Sequence, residues 1–449
     1  MRGLRSTTAL VVVLAGLFAY IYFVTWKKPA DGTASKQEKV FAGIQTDKID
    51  ELKITSDKGD VTTLKKEGGN WQLVAPASAR ADESQASGIV SALGQVEMTR
   101  VIDERAADLK QYGLETPRIE IDFKAAGDKD YRRLFIGDKA PTGGDLFARR
   151  NDDKKVFLIP SYQETTFNHS TFDLRDKIVL KFERDKIDSL DVSAGGNTLQ
   201  FTKDGSEWKI TQPLPARADY ASVEGLVGRL QSAAMKSIAT ESASPADLKK
   251  FGLDKPAASV DLKMGSARAI FQVGSKAETN TVYARDASRS VVVTVDNALA
   301  DELKKDVNEY RRKDVFEFRA YNANRLEFTR NGQTVAFEKD KAQGNAVSDK
   351  WRRVSPNPAD ADKDKIESLL SRLSNMRIAS FVDASVKTGL DMPAMTVYAK
   401  FDDAKKEERV SIGKVNNDVY VSRPGEHGAG KVDAADFTEA SKTLDELAK

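Results

Sequence analysis

The 449 residues include no cysteine. That removes disulfides, thiolate metal sites, a cysteine nucleophile and a lipidated N-terminal cysteine together. Histidine is almost missing. His169 and His427 are the only two, and they fall in different stretches of unlike context. A multi-histidine metal site within one domain is therefore excluded, and a histidine-based triad is not expected. Neither sign of charge prevails: 70 basic residues face 68 acidic ones, for a net charge of +2. The electrostatic footprint of a nucleic-acid binder is absent. No G-x-S-x-G, P-loop or G-x-G-x-x-G occurs. S-x-x-K appears at 206–209 and 411–414, but in strand-like text rather than at a helix start. No carboxylate pair stands out by spacing. These readings predict a protein that is not an enzyme and carries no cofactor or metal.

Long hydrophobic runs are also scarce, with one exception. Residues 6–26 read STTALVVVLAGLFAYIYFVTW, 21 residues without a charge. At about 1.5 Å per residue a helix of that length crosses the hydrocarbon core of a bilayer. Arg2 and Arg5 precede it, Lys27 and Lys28 come after it, and Tyr20, Tyr22 and Trp26 lie toward its far end, where amphipathic rings favour the interface. A cleaved signal peptide is the rival reading. Its apolar region is usually shorter, and no A-x-A site follows directly. The expectation is a short cytoplasmic stub and transmembrane anchor over 1–26, a linker over 27–38, and the rest of the chain on the periplasmic side of the inner membrane. The 12-residue linker KKPADGTASKQE has a contour limit of roughly 40 Å, which keeps residues beyond it near the membrane surface.

What the chain does have is one sentence written three times. WQLVAPASARAD (71–82), WKITQPLPARAD (208–219) and WRRVSPNPADAD (351–362) place Pro five residues and Asp eleven residues after Trp. The whole chain holds only 4 Trp and 13 Pro, so chance does not explain three such frames. Further phrases recur in step: YGLETP, FGLDKP and TGLDMP; FIG, QVG and SIG, ending at Gly137, Gly274 and Gly413; LFARR, VYARD and VYVSR. KVFAGI, KIVLKF and KDVFEF open each copy, and Leu52, Leu190 and Leu326 come after them at one spacing. The predicted architecture is an α+β protein, an N-terminal transmembrane helix followed by three tandem homologous modules with mostly antiparallel sheets, over 39–176, 177–312 and 313–449. Each module is long enough to bury its own core.

Local chemistry explains most of the repeated letters. Asp82, Asp219 and Asp362 read as helix N-caps, with Gln85 at capping-box spacing in the first copy. Four, seven, eight and eleven residues later come Ala86, Ile89, Val90 and Leu93; Val223, Leu226, Val227 and Leu230; Ile366, Leu369, Leu370 and Leu373. That is one helical face three times over. The Trp opens a short strand and covers the core, and the Pro ends strand pairing. In DLKQYGL and DLKKFGL, Gly113 and Gly252 fit a left-handed helix stop, with Leu114 and Leu253 folding back on Leu109 and Leu248. Ser385 stands at the matching place in the third copy. IEIDF (119–123), SVDL (259–262) and MTVYAKF (395–401) read as strands, and helices are expected over 297–307 and 435–447.

Arg149, Arg285 and Arg423 recur at a strand end without an evident structural need. They are the candidate binding residues, able to pair with a carboxylate of a neighbouring module or to present a polar contact to a ligand. The readings left open for them are a solvated strand end and a ligand contact.

With the W…P…AD, [YF]GL[DE]xP and VYAR phrases, residues 39–449 resemble the bacterial family known as domain of unknown function 4340. That resemblance implies an inner-membrane-anchored envelope protein whose gene commonly lies beside gliding-motility-type ABC transporter genes. It implies an accessory subunit of an ABC-type transport system, with a permease or a substrate-binding-like subunit as partner. The alternatives are a periplasmic binding protein for an envelope polymer or lipid held between modules, and a carboxylate-dependent hydrolase.

Overall fold

Each repeated phrase falls at the same place in the same sheet, and that sheet occurs three times in this computed structural model, which describes residues 38–141, 143–340 and 350–449. The predicted anchor over 6–26 and nearly all of the linker lie outside the described residues. Among the described residues no helix is long and apolar enough to cross a membrane.

In the first module the chain runs β1 (Ile49–Thr55), β2 (Val61–Glu67), β3 (Asn70–Ala75), β4 (Ala79–Arg80), helix α1 (Glu83–Gln95), β5 (Arg100–Asp103), β6 (Ile119–Ala125), β7 (Arg132–Lys139), β8 (Leu146–Arg150) and β9 (Val156–Ile159). The sheet order is β4-β3-β2-β1-β6-β7-β8-β9-β5. A meander runs outward from β1 to β4, α1 carries the chain to the far edge, and a second meander returns from the centre to meet β5. The other two modules repeat this order strand for strand, with α2 (Tyr220–Gln231) and α3 (Lys363–Ser374) at the place of α1. Every pairing between neighbouring strands is antiparallel, so the expected mostly antiparallel sheet is wholly so.

The repeated residues hold this arrangement in three equivalent settings. Trp71, Trp208 and Trp351 are all buried. Each sits opposite a lysine on the neighbouring strand, with the ammonium of Lys66, Lys203 or Lys339 at 5.9, 5.4 and 5.8 Å from the ring centroid, a cation–π geometry. The peptide bonds before Pro76, Pro213 and Pro356 are all cis. Asp82 accepts from the amides of Ser84 and Gln85, Asp219 from Ser222 and Asp362 from Lys365, which satisfies first-turn donors. The twelve helix positions named by period are all buried. In the first copy Glu83 turns back to accept the Trp71 amide at 2.5 Å; a reciprocal capping box forms instead at Ser244 and Asp247.

Two repeated phrases turn out to be one device. Gly113 and Gly252 are left-handed, with φ of 65° and 69°. The Leu114 amide reaches the Leu109 carbonyl at 3.0 Å and the Leu253 amide the Leu248 carbonyl at 2.7 Å, the closing bond of a Schellman turn. The third copy has no helix there, yet Gly389 keeps a φ of 70°. In all three the turn is laid on the second repeated glycine. A Cβ at Gly137, Gly274 or Gly413 would stand 2.2, 2.1 or 2.3 Å from the carbonyl oxygen of Tyr112, Phe251 or Thr388. The FIG, QVG and SIG glycines are thus needed for close backbone approach.

The helix expected over 297–307 stops at Glu302, because Asp306 caps a new short turn by accepting the Asn308 amide at 2.9 Å. The last helix is Ala434–Ala448.

The chain divides into two compact units, with the boundary between Lys177 and Ile178. The second unit holds the second and third modules. The segment leaving a module closes it: Arg175 bridges Ala81 and Arg311 bridges Ala218, extending the sheet beyond its β4 edge. The segment entering a module pairs behind the helix, as Ile178 does with Ala234 and Asp314 with Arg377.

Candidate functional site

The three candidate arginines do not occupy one position. Arg149 lies on β8 with its guanidinium 3.8 Å from the Phe135 ring centroid and donates to the Asn151 carbonyl at 2.6 Å. Burial pulls its pKa below the usual arginine value. Arg285 follows in register and donates to the Gln272 side chain at 2.8 Å. Arg423 is one residue out of step. It donates to the Val315 carbonyl at 3.0 Å, as Arg150 donates to the Val40 carbonyl at 2.8 Å. Arg150 is therefore its structural counterpart, and Asp286 stands there in the second module. Set letter against letter, VYVSR and LFARR place Arg423 opposite Arg150 and Ser422 opposite Arg149.

The densest polar cluster is built around Arg423, where the second module meets the third. Arg217, on the β4-equivalent edge of the second module, bonds Glu426 and reaches Glu317 at 3.3 Å and the Asp314 carbonyl at 2.9 Å. Arg423 bonds Glu408 and lies 3.2 Å from Glu317 and 3.5 Å from Glu426. The two arginines share two carboxylates. Arg311 packs at 3.6 Å over the Phe381 ring and donates to the His427 carbonyl at 2.8 Å. The His427 amide donates to the Pro215 carbonyl at 2.9 Å. His427 joins the modules through its main chain, in the loop between two paired strands.

The charges of the cluster balance. Arg217, Arg311 and Arg423 match Glu317, Glu408 and Glu426. The Glu408 side chain is 1% exposed, and its carboxylate accepts the Glu317 and Phe318 amides at 3.0 and 2.9 Å in addition to Arg423. A buried carboxylate is tolerable only when its lone pairs are filled in this way. The space left between these side chains, about 10 Å³, is that of one water-sized sphere. The arrangement can fasten two modules; it has no room for a substrate.

Larger hollows lie elsewhere. One of about 260 Å³ in the first module is bordered by Gln45, Lys48, Phe123, Asp128 and Arg132. Another of about 230 Å³ in the second lies between residues 197–199 and the 303–307 turn. The second is bordered by Thr198, Lys304, Lys305 and Asp306. Among the described residues no group of three potential ligating side chains is placed to hold a metal. His169 is half buried in the first module, and burial depresses its pKa. Among the described residues, Asp122 is the one carboxylate pushed strongly upward, to about 6, by burial and then by the charge of Glu120. Arg133 and Lys53 oppose that shift from 3.6 and 3.9 Å, and Oδ1 has no hydrogen bond.

No curated protein matches the sequence. A family model described as Domain of unknown function (DUF4340) matches residues 71–209, 208–393 and 351–449. Each match opens at a repeated tryptophan, so the family's unit begins at β3 and runs past the sheet boundary. With most of its length matched, the chain belongs to the DUF4340 domain family and carries its domain three times.

Proposed function

We propose that this protein is a non-catalytic, membrane-tethered interaction subunit of an ABC-type transport system in the bacterial envelope. The observation that carries the reading is how fully the recurring residues are used for architecture. Trp, Pro, Asp and both glycines each complete a strand, a cap or a close backbone contact in every copy. The best-formed polar cluster spends its charges on joining two modules. Function is then left to surfaces, as in other proteins whose repeated domains serve as rigid spacers and docking platforms. The apolar stretch 6–26 supplies the tether to the inner membrane, with the bulk of the chain periplasmic. The transporter assignment draws on the gene neighbourhood that the family resemblance implies.

The test is purification of the tagged full chain in mild detergent. Permease or substrate-binding-like subunits are expected to come with it. A reporter fused after Lys449 is expected to be active only outside the cytosol. A solitary monomer after crosslinking in cells, or a cytosolic reporter, overturns the proposal.

A further inference from the structure

Two of the three modules have their β4 edge closed by a short segment that leaves a turn and forms a β-bridge with it; among the described residues the third has no such segment. In the first, the Asp82 amide donates to the Leu174 carbonyl at 2.8 Å and the Asp176 amide to the Arg80 carbonyl at 3.0 Å. In the second, the Asp219 amide donates to the Tyr310 carbonyl at 2.7 Å and the Arg312 amide to the Arg217 carbonyl at 2.9 Å. The corresponding groups of the third module are the Asp362 amide and the Asp360 carbonyl. They have no backbone partner among the described residues. Burial follows the pairing. Ala79, Ala81, Ala216 and Ala218 are buried, whereas Ala359 and Ala361 are partly exposed and Asp360 and Asp362 exposed. The last helix does not close this edge. It lies against α3, with Lys365 3.0 Å from Glu446, and the Leu447 carbonyl accepts from Arg353 at 3.2 Å.

We infer that the open edge at residues 359–362 binds a short basic segment of a partner protein through a β-bridge, with arginine at the residue facing Ala361. The two closed edges define the occupant. Both segments place a buried arginine opposite the second alanine, Arg175 and Arg311, and both supply one carbonyl and one amide to the edge. Charge sets the difference. In the first module Arg80 faces Asp176 at 3.5 Å; in the second Arg217 faces Arg312 and its guanidinium turns instead to Glu317 and Glu426. Asp360 replaces that arginine in the third, and Asp362 and Asp364 flank it, so the residue after the central arginine is basic. Main-chain bonds give affinity in this mode and side chains give selectivity.

This inference deepens the proposed interaction role. Its test uses the full chain in detergent and two peptides copied from the closed edges: residues 306–313 (DVNEYRRK) and 170–177 (STFDLRDK). Fluorescence anisotropy is expected to show the first binding more tightly, by about threefold or more, as one favourable against one unfavourable ion pair implies. Amide exchange at Asp362 is expected to slow with the first peptide bound. D360R installs the residue that both other modules carry there, so the fold is retained, and the preference is expected to reverse. Failure of both peptides to bind below about 1 mM, or an order untouched by D360R, overturns the assignment. A concentration-dependent dimer abolished by D360R overturns it in favour of a second copy as occupant. The two proposals separate cleanly. Transporter subunits that co-purify equally with D360R leave the interaction role standing and remove this edge as its site. Selective peptide binding without co-purification leaves the edge standing and removes the transporter.

Discussion

Arg217 and Glu426 are 209 residues apart in sequence and bonded in the fold. Arg217 stands on the edge of the second module's sheet, Glu426 in a loop of the third. Arg423 and Glu317 touch both sides of the pair, so the contact is one link of a closed network. Reversing one charge, as in R217E or E426R, sets like charges together in a poorly hydrated place. The expected cost is about 3–5 kcal/mol for the second unit. The double reversal should recover about 1–3 kcal/mol of that. Recovery stays incomplete because Glu317 then faces a carboxylate where the Arg217 guanidinium had stood. Denaturant unfolding of the two single variants and the double checks this. Additive losses refute coupling.

Gly274 lies beneath the FGL turn so closely that a methyl group has nowhere to go. In G274A the added carbon meets the Phe251 carbonyl, a backbone atom that cannot rotate away. The turn must lift, and Leu253 leaves the cluster it forms with Phe251 and Val292. A loss of about 1–3 kcal/mol is expected, with proteolysis appearing near residues 251–256. Gly225, in α2, has nothing within 4 Å of its added carbon. G225A is the control and should raise stability by about 0.5–1 kcal/mol. Equal melting temperatures for the two variants would sink the close-approach argument.

The sequence makes most of this architecture legible, and physical chemistry says why. Caps, helix faces and the Schellman glycines are determined within a few residues of chain, so Asp82, Leu226 and Gly252 declare their roles locally. The burial of the three tryptophans followed from hydrophobicity alone. What was hidden depends on contacts distant in sequence. The reason for Gly413 lies at Thr388, and the partners of Arg423 lie at Val315, Glu317 and Glu408. The carbonyls they reach, Val40 and Val315, are what identify Arg150 rather than Arg149 as the counterpart of Arg423. The open edge of the third module could not be read at all, since Ala359 and Ala361 spell the same alternation as the alanines of the closed edges.

Glu408 tests whether Arg423 holds shape. R423M leaves a carboxylate with 1% exposure bonded only to two amides, and the expected cost is about 3–5 kcal/mol. E408Q keeps an acceptor for the Glu317 and Phe318 amides while removing the charge. Added to R423M, it should restore more than half of the lost stability. Thermal unfolding of the four proteins decides it. If R423M alone is neutral, the buried ion pair is not what fastens this corner, and the arginine is free for another role.

Asp122 gives the first unit a pH signature of defined sign. Its carboxyl ionises near 3.8 in an unfolded chain and at about 6 in the folded one. Between those values the folded state holds the extra proton, so stability falls as pH rises from about 4 to above 6. The cause is burial, reinforced by Glu120, against cations too distant to donate a hydrogen bond. D122N carries no charge to penalise. It should stabilise the first unit at pH above about 7 by on the order of 1 kcal/mol, or a few degrees in melting, and the gain should vanish below about pH 4. Melting curves of both proteins across that range test it. A D122N chain that is less stable at neutral pH and unchanged in acid would mean that Arg133 and Lys53 stabilise the carboxylate more than burial opposes it.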